Sequence, residues 1–225
     1  MKPRPFETRR TLCAALGGGL ALAVCGVRAA AVPQAAGEGV MPFTAVPVPI
    51  AEDSRTVRLF FSYECGHCRA NHRAIAAWGA TLPAALEYRE GPVVVPSPGA
   101  IAAGYAYYSM RALAPTRLAD FHDAVYAAVQ ERGRSLADVR LYADAARAVG
   151  VSEARLREAW RSPAVDRLVT GAGDLFVRYR LLATPTIAVA GRMLVTPEIT
   201  GGVNDAFYRL ANAVVSKAMI DAGLA

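Results

Sequence analysis

The chain has 225 residues, 54% of them apolar and 20% charged, with a formal net charge of +6. That length and composition exclude a disordered or low-complexity chain and suffice for one domain with an insertion, or two small domains. The charge is concentrated at the start: residues 1–31 hold five of the 25 basic and one of the 19 acidic residues, leaving 20 and 18 and a net +2. Nothing in that balance calls for nucleic acid as a partner.

In residues 1–31, Lys2, Arg4, Arg9 and Arg10 precede an apolar run from Leu12 to Val27, and Ala29, Ala30 and Ala31 follow. This is the layout of a secretory signal peptide, with cleavage before Ala30 or Val32. The run contains Gly17-Gly18-Gly19 and is too short for a comfortable membrane span. Two lesser readings attach to it. Thr8-Arg9-Arg10-Thr11-Leu12 resembles a twin-arginine export signal. Leu22-Ala23-Val24-Cys25 resembles a lipoprotein processing site that would place a lipid on Cys25, although Val24 stands where a small residue belongs.

After an Ala/Gly/Pro-rich linker, Phe43 to Ile50 reads as an extended segment broken by Pro47 and Pro49. Val57 to Ser62 is a buried strand by composition. A helix to about Gly79 follows, with Ala70, Ala74 and Trp78 predicted as one apolar stripe beside Ile75, and Arg69, Asn71 and Arg73 opposite. Leu86 to Val95 is the next strand, ended by Pro96-Ser97-Pro98-Gly99.

From Ala100 to about Arg180 the pattern is helical. Thr116 is the expected cap of a helix with Leu118, Phe121, Val125 and Val129 on its apolar face. Ser135 and Asp138 open another, with Val139, Tyr142, Ala146 and Val149 inward. Ser152 starts a short helix, and Ser162-Pro163 a longer one through Val165, Leu168, Val169, Ala172, Phe176 and Tyr179. Thr186–Ala190 and Met193–Val195 then form a hairpin about Gly191-Arg192, and a final amphipathic helix carries Phe207, Leu210, Ala211, Val214 and Ala218. Strands at both ends of the chain must share one sheet. The fold class is therefore α/β with an inserted all-helical domain: residues 32–99 and 181–225 build the α/β part, and 100–180 the insertion.

Of four cysteines, Cys13 and Cys25 lie in the signal, so Cys65 and Cys68 are the only thiols of the exported chain. A bridge across two intervening residues closes almost no loop and is a poor staple, which points to chemistry. Cys65 sits where strand gives way to helix, and the partial positive charge of the helix N-terminus favours its thiolate. Cys68, one turn on, is placed to attack a mixed disulfide on Cys65. His67 can donate a hydrogen bond or a positive charge to that thiolate, and Gly66 lets a substrate approach closely. A zinc site needs about four ligands, and only His67, His72 and His122 accompany the pair. His72 and His122 read as ordinary helix-face residues. No metal or other cofactor is expected.

Phe60-Phe61-Ser62-Tyr63-Glu64-Cys65-Gly66-His67-Cys68 resembles the active-site segment of the DsbA family of periplasmic disulfide oxidoreductases. The helical stretch from Ala100 to Arg180 matches that family's helical domain, and Thr184-Pro185-Thr186, Val195-Thr196-Pro197 and Gly201-Gly202 resemble its C-terminal half. The resemblance implies a thioredoxin fold and makes Pro185 the cis-proline opposite the cysteines, with the Thr184 backbone free to bind an extended substrate. It also implies thiol-containing exported proteins as substrates, reoxidation by a quinone-linked, DsbB-like membrane partner, a monomer, and a periplasmic location. The dipeptide between the cysteines is Gly-His, as in protein disulfide isomerase, which suggests a milder oxidant. The buried acid that many relatives carry in the strand before the motif is absent, since Arg58 and Leu59 stand there. Glu64 abuts Cys65 and would tend to raise its pKa. A reductase or isomerase on the same fold, or a non-enzymatic binding module, are the rival readings.

Overall fold

The computed structural model describes residues 42–224. The expected signal peptide, with its twin-arginine and lipoprotein readings and Cys13 and Cys25, lies outside the described residues. No described helix is long and apolar enough to cross a membrane.

The strands are β1 (Thr44–Ala45), β2 (Thr56–Phe61), β3 (Glu87–Pro92), β4 (Thr186–Val189) and β5 (Met193–Val195). They form one sheet in the order β1-β5-β4-β2-β3. β2 runs parallel to β3, and the other neighbours are antiparallel. The helices are α1 (Gly66–Gly79), α2 (Pro98–Leu113), α3 (Leu118–Gln130), α4 (Val139–Ala148), α5 (Glu153–Trp160), α6 (Pro163–Tyr179) and α7 (Asp205–Asp221). All of α2 to α6 falls between β3 and β4. This is a thioredoxin fold with a helical insertion.

Alternation along β2 and β4 separates two apolar layers. Val57, Leu59, Ile187 and Val189 pack on α1 and α7 through Ile75, Trp78, Phe207 and Val214. Phe60, Ala188 and Leu194 pack on α6 through Tyr179. Arg58 points to that second side, where Asp53 takes its guanidinium at 2.6 and 3.0 Å and Tyr179 donates to the same carboxylate at 2.7 Å. Both members of the pair are buried. A third cluster joins Phe61, Tyr63 and Cys68 to the interior of the helical block.

Several sequence expectations need correction. The buried face of α1 is Cys68, His72, Ile75 and Trp78, whereas Ala70 and Ala74 are exposed. The alanines share the helical period but lie on the wrong side, because the face is set by Cys68. Arg69 pairs with Glu131, and Arg73 with Asp120 and Asp123 at 2.6–2.9 Å, so that flank reaches α3. Thr116 caps nothing: it lies in a 3-10 turn over Pro115–Arg117, and α3 begins without a side-chain cap. Val139, the first residue of α4, is 57% exposed, because Leu141, Tyr142, Ala145 and Ala146 form the inward face. The extended segment from Phe43 shrinks to β1. The hairpin turn is centred one residue earlier than predicted: Ala190 (φ 53°) and Gly191 (φ 67°) are its two left-handed residues, and Arg192 N–H donates to Val189 at 3.0 Å.

Candidate active site

β2 and β4 run antiparallel with Phe60 opposite Thr186. The C-terminal end of β2, which leads into the cysteines, therefore lies beside the N-terminal end of β4, which begins just after Thr184-Pro185. That register brings together residues 119 apart in the chain: the Cys65 thiol donates to the Thr184 carbonyl at 3.1 Å. The Thr184–Pro185 bond is cis.

Cys65 is the N-cap of α1, with extended backbone, and its sulfur accepts from the Cys68 N–H at 3.1 Å. The two thiols differ sharply. Cys65 is part-exposed, whereas Cys68 is buried. A hydrogen bond from the Cys68 thiol, helped by the Thr184 side chain and the main-chain N–H groups of Cys68 and His67, overcomes partial burial and holds the Cys65 pKa down to about 5. The same interaction, with burial, pushes the Cys68 thiol well above its ordinary value. Only the first sulfur is thus a thiolate near neutral pH.

The other predicted residues fall as follows. His67 is exposed, and its ring makes no hydrogen bond among the described residues; it acts on Cys65 through its backbone N–H. Glu64 is exposed and is not among the main groups acting on Cys65, so the expected upward push does not prevail. Gly66 is exposed, and a methyl group there would meet nothing within 4 Å, leaving that side of the sulfur open. A cleft of about 330 Å³ begins beside the cysteines and is lined by Ser62, Tyr63, Val95, Leu181 and Thr184.

Two features escaped sequence reading. Gln130, the last residue of α3, donates its amide to the carbonyls of Tyr63 at 2.8 Å and Cys65 at 3.1 Å, fastening the helical block to the motif loop. Beneath the motif, Glu90 of β3 accepts from two buried imidazoles: His72 Nε2 lies 3.1 Å from one carboxylate oxygen, and His122 Nε2 3.2 Å from the other. Tyr126 and Tyr63 hydroxyls lie 3.1 and 2.9 Å from the respective Nδ1 atoms. His72 and His122 are therefore core residues and not solvated helix-face ones. Burial lowers the His122 pKa to about 4 despite Glu90, and the two imidazoles in turn hold the Glu90 carboxyl, against burial, far below the usual range. The available signal was spacing: His72 follows Cys68, and Tyr126 follows His122, by one helical turn.

A pair in which one sulfur is an exposed thiolate and the other a buried thiol is suited to passing a disulfide in and out through the first sulfur. This places the protein among the thiol:disulfide oxidoreductases of thioredoxin fold. Residues 92–203 match the family described as DSBA-like thioredoxin domain, a stretch running from the end of β3 past β5 and so independent of the cysteines. The thiol:disulfide interchange protein DsbA of Bordetella pertussis is 26% identical over 185 residues, covering 81% of this chain and 87% of its own. Its namesake from Pseudomonas aeruginosa is 26% identical over 175 residues, covering 76% and 80%. The crystal structure of Pseudomonas aeruginosa DsbA superposes with a TM-score of 0.72 at 22% identity, over 81% of this chain and 95% of that one. That of Xylella fastidiosa DsbA gives 0.65 at 23%, over 78% and 94%. The chain thus carries a DSBA-like thioredoxin domain over residues 92–203, and its likeness to the DsbA proteins extends over about four-fifths of its length.

Proposed function

We propose that the protein is a periplasmic dithiol oxidase that introduces disulfides into newly exported proteins, with Cys65 as the attacked sulfur and Cys68 as its partner. A substrate thiolate attacks Cys65 of the Cys65–Cys68 disulfide. The S–S bond breaks, a mixed disulfide forms on Cys65, and Cys68 takes up a proton. The substrate's second thiolate then attacks the substrate sulfur of the mixed disulfide. A substrate disulfide forms and Cys65 leaves as a thiolate, the two electrons remaining on the enzyme.

The opposite displacement of the two thiol pKa values carries this reading. A stabilised Cys65 thiolate is a good leaving group in the second step and favours the reduced enzyme, which makes the disulfide oxidising. Thr184 and Pro185 are the substrate-binding loop: once Cys65 ionises, the Thr184 carbonyl loses its thiol donor and is open to an N–H of an extended peptide. Gly66 leaves room for that peptide, and His67 flanks it. The helical residues 100–180 form the insertion domain around the cleft. Export through residues 1–31, a monomeric state and reoxidation by a membrane partner that passes electrons to quinone complete the reading.

The test is catalysed oxidation of a reduced two-cysteine peptide with glutathione disulfide as terminal oxidant. Wild type should turn over repeatedly and Cys65→Ser should fall to background. Background rates in both would refute an enzymatic role.

A further inference from the structure

The buried His72–Glu90–His122 cluster has no part in the disulfide steps above. We propose that it is a binding site for a single divalent transition-metal ion of the zinc class, held between the sheet and the helical block.

The candidate ligand atoms all lie within 4.8 Å of one another. Each imidazole Nε2 is 3.1–3.2 Å from a carboxylate oxygen. A tetrahedral ion with bonds of about 2.0–2.1 Å needs ligand–ligand edges of about 3.3 Å, so each imidazole already stands near that separation from its own carboxylate oxygen, and an ion between the rings would be met by one or both of those oxygens. The three residues come from α1, β3 and α3, and none sits on a loop. Each histidine also has a partner for its other nitrogen, Tyr126 for His72 and Tyr63 for His122, which is the outer arrangement that orients metal-ligating imidazoles. On binding, both rings carry their proton on Nδ1 and donate it to the tyrosine oxygens, and Nε2 turns to the ion. Two imidazole nitrogens and one carboxylate suit zinc or iron(II) and disfavour calcium and magnesium, which prefer all-oxygen sets.

Access comes from a cleft of about 980 Å³ that Glu90 lines together with Tyr88, Tyr107, Tyr108 and Leu118.

The experiment titrates zinc into untagged protein, as wild type and as a cysteine-free chain (Cys13→Ser, Cys25→Ser, Cys65→Ser, Cys68→Ser) that removes thiolate ligands. One equivalent should bind in both. In the cysteine-free background, Glu90→Gln and His122→Ala should each weaken affinity by at least about tenfold. Cobalt(II) in place of zinc should give the visible bands of a four- or five-coordinate ion, a readout on the parent chain that stands even if a variant fails to fold. No zinc binding by the folded cysteine-free chain, a six-coordinate cobalt spectrum, or undiminished affinity in folded variants would overturn the site and leave the cluster a hydrogen-bonded core network only.

Discussion

Cys65 and Cys68 are the same residue type one helical turn apart, and position alone gives them opposite chemistry. Cys65 caps α1 and receives N–H and S–H donors; Cys68 is inside the core and is the S–H donor. Thiolate absorbance of the reduced protein should therefore show one thiol titrating near pH 5 and the other remaining protonated through the neutral range. In Cys68→Ala, which removes the S–H donor and keeps the N–H, the Cys65 midpoint should climb toward the ordinary thiol value of about 8.5. An unchanged midpoint would show that the helix terminus acts alone. The cysteines were legible in the sequence because they are the only pair outside residues 1–31. His72 was not: a histidine among arginines and alanines carries no mark of burial until Cys68 is known to set the inward face of α1.

At the scale of elements, the strand–helix–strand order and the position of the helical stretch could be read from periodicity and punctuation, since Ser152 and Ser162 cap the helices they precede, whereas the opening expected at Ser135 moves to Asp138, the N-cap of α4. What could not be read was which side of each helix faces inward and which distant residues meet. Gln130 shows the limit: nothing local distinguishes it, yet it holds two main-chain carbonyls of the motif loop from the end of α3. Gln130→Leu should lower stability by about 1–3 kcal/mol in urea unfolding, since two loop carbonyls lose their donor. The β4–β5 turn offers a second test. Gly191 has φ of 67°, and a methyl group there would lie 2.2 Å from the Ile50 carbonyl oxygen. Gly191→Ala should therefore destabilise by about 1–3 kcal/mol or more, combining a left-handed backbone with a backbone clash. Wild-type stability in that variant would mean that the turn relaxes freely.

For the whole molecule, ionisation is coupled to stability. Arg58 and Tyr179 hold the buried Asp53 carboxyl, against burial, below its ordinary value. A lowered folded pKa gives stability that is complete above the unfolded value of about 3.9 and is lost as pH falls through the folded one. Asp53→Asn, which leaves Arg58 buried without its counter-charge, should cost about 3–5 kcal/mol at neutral pH. Cys65 follows the same sign at higher pH. Its folded value of about 5 lies below that of an unfolded thiol, so the reduced protein gains stability as pH rises from about 5 to 9. The disulfide form has no such term. Paired urea unfolding should then find the reduced form the more stable at pH 7, with the gap closing toward pH 5.

That stabilised reduced state is the basis of the oxidase reading, and the reduction potential of the Cys65–Cys68 pair reports it most directly. Equilibration with glutathione at pH 7 should give a value in the range of about −180 to −120 mV, the span from protein disulfide isomerase to strongly oxidising relatives. A value near or below about −270 mV, where thioredoxin lies, would contradict the account and make the protein a reductase.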